Sequence, residues 1–301
     1  MDPGPGSIVA VLHVRPRLRR SPCFSGVAFD FRLWCRGRMN GDAHDIARRG
    51  QTKTLAFGFW LASRGLLVRS AIVLAAGMAI AGAMSSFWLV HHGVSTLETV
   101  PLIASEALAW GAGLSLAGAA SMRMPYRDAE LGVLSFALAR GATIQQYVRG
   151  RMGGIVLWTF LCVGGGTLVT IAGTIAAVRP TEDVMRASAG ALIFSLAFGG
   201  SIAPVAMATL GARSRMRGYV ALLLVVGVPE LVAPWTSRIL PDGWSELTSL
   251  PAALGALRSV TEESTDWLLI ARALAGLTLV ATVSFMVTVG HVSRAAERVS
   301  P

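Results

Sequence analysis

Six stretches of the chain, at residues 70–90, 101–121, 154–178, 189–211, 219–235 and 267–291, are built almost entirely of apolar and small residues, with polar segments between them. A helix needs about 20 such residues to cross a hydrocarbon layer about 30 Å thick. The pattern therefore predicts an all-α, polytopic membrane protein with about six transmembrane helices. The fifth run contains Pro229, Glu230 and Pro234, which predicts an irregular outer end, because proline removes a helical donor and the freed carbonyls need other partners.

Two further segments have a helical pattern without being apolar throughout. Before the first run, in residues 53–68, Leu55, Phe59, Ala62 and Leu66 fall on one stripe with Lys53 and Arg64 opposite. This predicts an amphipathic helix lying at the membrane interface, with Trp60 at headgroup level. Between the second and third runs, residues 122–153 are too polar to span and too regular for an idle linker. A first helix is predicted with Asp128 and Glu130 in its first turn, apolar cover from Leu131, Leu134, Phe136 and Leu138, and an end at Gly141. Thr143 then starts a second helix, with Gln146 three residues on completing a capping box, and this helix runs on into the third span. Such a loop presents a short rigid helix for docking.

Composition and charge sharpen this picture. A 301-residue chain with mean hydropathy +0.58, 53% hydrophobic and 15% charged residues exceeds what one soluble core would bury, so lipid must cover part of it. Its 27 basic against 17 acidic residues give a formal net charge of +10. In a soluble chain that excess would point to nucleic acid. Here it sits in alternate loops: Lys53, Arg64 and Arg69 before the first span, Arg123, Arg127, Arg140, Arg149 and Arg151 after the second, Arg213, Arg215 and Arg217 after the fourth, Arg294 and Arg298 at the end. The positive-inside rule then places both termini in the cytoplasm and the chain in the cell (inner or plasma) membrane, with no nucleic-acid partner. Residues 1–52 form a basic tail expected to be disordered, or an extension upstream of a start at Met39; residues 292–301 form a cytoplasmic tail. Cys23, Cys35 and Cys162 are too scattered to imply a disulfide framework or a metal site.

Charges within spans are costly, and each is a functional candidate. Glu106, Glu230 and Arg272 each lie about five residues from the outer end of their run, roughly 6–8 Å deep at 1.5 Å per residue. They form a candidate intramembrane polar cluster, serving as an outer gate or substrate contact, or as a structural ion pair. Glycines 111, 113, 118 and 164–166 favour close helix approach.

The loop resembles that of a known family, the permease subunits of type-2 ABC transporters. Glu130-Leu131-Gly132 is similar to the acidic-then-glycine start of that family's first cytoplasmic loop. Arg140-Gly141-Ala142-Thr143 stands at its Pro-Val-Ser-Arg-like break, and Tyr147-Val148-Arg149-Gly150-Arg151 at its entry into the third span. Gly141-Ala142 departs from the usual Pro-Val. The resemblance covers about residues 53–291 and includes a connecting helix before the first span and a helical outer insert, here residues 236–266. It implies an exporter permease that pairs with itself or a sister subunit, contacts membrane lipid, and couples to a separate ABC ATP-binding subunit through Arg127, Asp128, Glu130, Gly132, Arg140 and Thr143. The chain would bind no cofactor, ATP-Mg residing on the partner. Lys53, the sole lysine, is not part of a phosphate-cradling loop, which independently agrees that ATP hydrolysis belongs elsewhere. An ion-coupled secondary transporter is the alternative. A membrane-embedded enzyme is a further one, though no Gly-x-Ser-x-Gly or His-Glu-x-x-His occurs.

Overall fold

Long runs of Ala, Leu, Val and Gly leave backbone polar groups no partners in apolar surroundings except one another, so each run closes its own hydrogen bonds as a helix. The computed structural model describes residues 55–63, 65–93, 99–178, 181–236, 249–261 and 266–298. Among these no strand occurs.

Helix α1 spans residues 55–62 and α2 spans Leu66–His91. Helix α3 runs Thr99–Ala107, passes through a wider π-type turn at Leu108–Gly113, and continues as Leu114–Ser121. Two short helices follow, α4 at Met124–Glu130 and α5 at Val133–Ala139. Helix α6 joins Ile144–Thr159, a π turn Phe160–Gly164 and Gly165–Ala177; α7 is Glu182–Leu210. Helix α8 comprises Arg215–Leu222, a π turn Leu223–Gly227 and Val228–Thr236. Helix α9 is Leu250–Ala256, tightening into a 3₁₀ turn Leu257–Thr261, and α10 is Trp267–Glu297.

Among the described residues five helices, α2, α3 with its extension, α6, α7 and α10, are long and apolar enough to cross a membrane. The chain is thus an all-α protein of polytopic membrane character. Helix α7 is central: 67% of its most apolar window is buried, against 22% for α2 and for α10. Leu66, Leu74, Leu279 and Met286 on those outer helices are exposed, the disposition of side chains that face lipid.

Small residues let α7 take that place. A Cβ on its Gly199 would lie 2.5 Å from the Phe160 ring, and one on Gly113 of α3 would lie 2.6 Å from Val163 and 2.9 Å from Phe198. The buried Thr167 and Ser195 hydroxyls meet at 2.8 Å between α6 and α7, and Ser86 and Thr174 at 2.9 Å between α2 and α6. With no solvent to compete, such hydroxyl pairs and close backbone contacts hold helices together. Gly111 and Gly118 also sit against neighbours, whereas Gly165 has open space around its Cβ position, so only part of the glycine pattern reports packing.

The helices outrun the apolar runs. Helix α7 starts at Glu182, where Thr181 accepts from the Val184 N–H at 3.4 Å, and α10 continues to Glu297, so most of the expected C-terminal tail is helix. The amphipathic segment is divided: α1 ends in a turn at Ser63, Gly65 is extended, and Val68 belongs to α2. Its buried face centres on Gly58 and Ala62 and packs on α6. Helix α8 is helical through Thr236; its irregularity is the π turn immediately before Pro229, where a wider turn accommodates the missing N–H. The basic tail 1–52, Lys53, Arg64 and much of the outer insert lie outside the described residues.

Candidate functional site

The polar loop between α3 and α6 departs from the sequence expectation in a way that creates a site. Arg123 adopts the left-handed conformation, φ 53°, and donates its backbone N–H to the Leu210 carbonyl at 2.8 Å, satisfying one of the last acceptors of α7. Pro125, at the second position of α4, suits a helix start. The helix thus begins earlier than expected, at Met124, and ends at Glu130, so Asp128 and Glu130 occupy its second half instead of a first turn. Gly132, at φ 72°, turns the chain into α5, and Gly141, at φ 81°, ends α5 as its position predicts. The expected single helix is a pair.

Early initiation turns Asp128 inward. It is 2% exposed, as is Arg151 of α6, and Arg151 Nη2 lies 2.7 Å from Asp128 Oδ2. The Tyr147 hydroxyl, one turn before Arg151, donates to the same carboxylate oxygen. The guanidinium approaches off the axis of its N–H bonds, so the contact is an ion pair by distance without an aligned hydrogen bond, and Arg151 Nε has no protein acceptor among the described residues. Ion pairs are stronger where water is excluded, and the carboxylate here offsets what would otherwise be a buried lone cation. Asp128 is therefore buried in an internal junction, where the sequence reading expects it on a surface offered for docking.

Helix α1 closes the junction from the other side. A Cβ on Gly58 would lie 1.9 Å from the Gly150 carbonyl oxygen, and one on Gly154 would lie 2.3 Å from the Gly58 carbonyl carbon. The Phe59 and Trp158 rings stack at 4.6 Å, and Trp158 Nε1–H donates to the Phe59 carbonyl at 3.0 Å. Arg151 thus sits where α1, α4 and α6 meet.

The remaining loop residues divide between structure and surface. Thr143 forms the capping box its spacing predicts, with Gln146 N–H donating to Thr143 Oγ1 at 3.2 Å and Thr143 N–H donating to Gln146 Oε1 at 3.0 Å. Glu130 pairs with Arg123 at 3.2 Å in the open. Arg127 is partly exposed, while Gly132 and Arg140 are exposed. The tip joining α4 to α5 also carries exposed Leu131 and Phe136, with the Arg140 guanidinium 4.3 Å from the Phe136 ring centroid. The sequence pattern expects Leu131 and Phe136 as apolar cover, but the break at Gly132 leaves Leu131 at the exposed end of α4 and turns α5 so that only its Leu134 is fully buried.

Glu106 and Glu230 find partners on the segment that carries α9. Glu106 Oε1 lies 2.5 Å from Arg258 Nη1, and the Arg258 guanidinium also stands 4.0 Å from the Phe194 ring centroid. Glu230 accepts from the Ser249 hydroxyl at 2.9 Å. Arg258, in the turn that ends α9, is thus the cation that meets Glu106, and the Phe194 ring gives it a second favourable contact. Arg272 is partly buried on α10. Among the described residues no group of three or more His, Cys, Asp or Glu side chains converges as a metal site would.

Set against family models, curated proteins and solved structures, the chain finds no match in any of the three.

Proposed function

We propose that the chain is the permease subunit of an ATP-driven exporter of the type-2 ABC class. In this reading α8 is a sixth span, both termini are cytoplasmic in the cell membrane, and two permeases form the pathway while a separate ATPase supplies energy. One observation carries the reading. The α4–α5 arm is clamped to the base of α6 by the buried Asp128–Arg151–Tyr147 junction, while its tip bears Leu131, Gly132, Phe136 and Arg140 in the open. A rigidly anchored arm transmits force; a mobile loop does not. Apolar side chains rimmed by Arg127, Glu130 and Arg140 form the kind of surface a partner groove covers.

The test is to purify the tagged full chain from its native membranes in mild detergent and measure ATP hydrolysis and subunit composition. A stoichiometric nucleotide-hydrolysing subunit is expected, and Phe136→Asp should release it while leaving the chain's own helicity and elution unchanged. A chain that purifies without such a subunit, and in liposomes moves solute in response to an ion gradient alone, overturns the reading in favour of ion-coupled transport.

A further inference from the structure

A cleft of about 620 Å³ opens where the loop after α7 meets the C-terminal end of α10, and it plays no part in the junction. Arg213 and Arg217 line it from the α7–α8 side, His291, Arg294 and Arg298 from α10, and Tyr126 from α4. No carboxylate among the described residues lines it: Glu297, on the same helix as His291 and Arg294, is not among its walls. None of the four arginines has a carboxylate partner among the described residues; Arg298 instead stands 5.8 Å from the Tyr126 ring centroid. His291 donates Nε2–H to the Ala208 carbonyl at 3.1 Å, and the guanidinium groups give the cleft a positive charge that does not depend on pH.

Four guanidinium groups with no carboxylate partner among the described residues repel one another where they converge on one cleft, and their charge is complementary to a phosphate, whose oxygens accept paired N–H bonds from arginine. What continues from the cleft says what the phosphate is attached to. Along α8 the face of Arg217 passes to Val220 and Leu224, and along α10 the face of Arg294 passes to Val287 and Val283. All four apolar residues are exposed. A cationic cleft at the ends of membrane-length helices, leading onto bare apolar faces, matches a molecule with a phosphate head and hydrocarbon tails. We infer that this cleft is a binding site for an anionic phospholipid, its headgroup phosphate held by Arg213, Arg217, Arg294 and Arg298 and its acyl chains lying along α8 and α10. The site depends on the membrane character of the chain and not on the transporter reading.

Native mass spectrometry of the full chain, purified and delipidated in detergent, tests this by titration with phosphatidylglycerol, with phosphatidylcholine of the same acyl length, and with glycerol phosphate. A saturable one-to-one adduct is expected with phosphatidylglycerol, at least about tenfold tighter than with phosphatidylcholine, and none with glycerol phosphate at the same concentrations. Arg213→Gln, Arg217→Gln and Arg294→Gln together should weaken the adduct about tenfold or more, while a charge-matched control, Arg69→Gln, Arg149→Gln and Arg215→Gln, should change it less than twofold. Because the substituted arginines are exposed, unchanged helicity is expected; the lipid preference of the unaltered chain stands as a measurement if either triple variant fails to fold. Equal weakening by the two triples would overturn the site as mere surface charge. Equal affinity for both lipids, saturation by glycerol phosphate alone, or displacement of the lipid by an acidic peptide at comparable concentration would each overturn the lipid assignment.

Discussion

Two ion pairs of the same chemical kind stand in different surroundings. Asp128 and Arg151 are each 2% exposed and share the carboxylate with a tyrosine hydroxyl, whereas Arg258 and Glu106 are 21% and 50% exposed. Charge type is common to both, so solvent is what separates them. In the first, removing one partner strands the other where water cannot reach it; in the second, Glu106 is half exposed and the Phe194 ring remains over the arginine. The buried pair joins α4 to α6 and so fixes a piece of architecture. The more open pair joins α3 to the turn that ends α9 and is expected to tolerate the loss of Glu106 better.

The sharpest way to break this contrast is at Asp128. Asp128→Leu should cost about 3–5 kcal/mol, seen as a large fall in the thermal midpoint of the detergent-solubilised chain, because Arg151 is left buried and uncompensated. Adding Arg151→Met to Asp128→Leu should restore much of that loss, since removing both charges leaves nothing stranded. A midpoint that falls further in the double variant than in the single one would refute the ion pair as the anchor. Gly58→Val comes next: its side chain has to enter the space of the Gly150 carbonyl, and about 1–3 kcal/mol is expected to be lost. Faster proteolysis within residues 55–62 would show the detached helix.

Two smaller effects calibrate the scale. Thr143→Ala removes the hydroxyl half of the capping box and should cost about 1 kcal/mol, read from the same thermal midpoint. Glu106→Gln should cost no more than about 1 kcal/mol, and the difference from the unaltered chain should shrink further as salt rises, which screens the open pair and leaves the buried one nearly untouched. Should Glu106→Gln prove as damaging as Asp128→Leu, the contrast between the two pairs would be false.

How much of this the sequence discloses follows from which forces are local. Membrane-length helices were legible because about 20 apolar residues have few other ways to satisfy their backbone, and the Thr143 cap was legible because a capping box is set by four consecutive residues. Gly141 ended α5 for the same local reason. Asp128 was misplaced because its burial depends on where α4 begins, and that depends on Arg123 reaching the end of α7, a contact between segments distant in sequence. A signal was present all the same. Arg151 is flanked by Gly150, Gly153 and Gly154, and an arginine whose helix neighbours are stripped of side chains marks a face closed over by another backbone. Tyr147, one turn before it, supplies a hydroxyl that needs an acceptor when buried. At the outer end, depth alone had grouped Glu106, Glu230 and Arg272. Depth says nothing of azimuth around the bundle, and the cation that met Glu106 came from the insert, where no span periodicity constrains it.

The claim on which the functional reading rests is that the α4–α5 arm projects into the cytoplasm. In a chain with Cys23, Cys35 and Cys162 replaced by serine, Ala139→Cys on the arm and Gly93→Cys after α2 can be exposed in turn to a membrane-impermeant maleimide on intact cells. Labelling at position 93 from outside, with position 139 labelled only after the membrane is opened, is the predicted result. Labelling at position 139 in intact cells would contradict the orientation, and the coupling role of the arm with it.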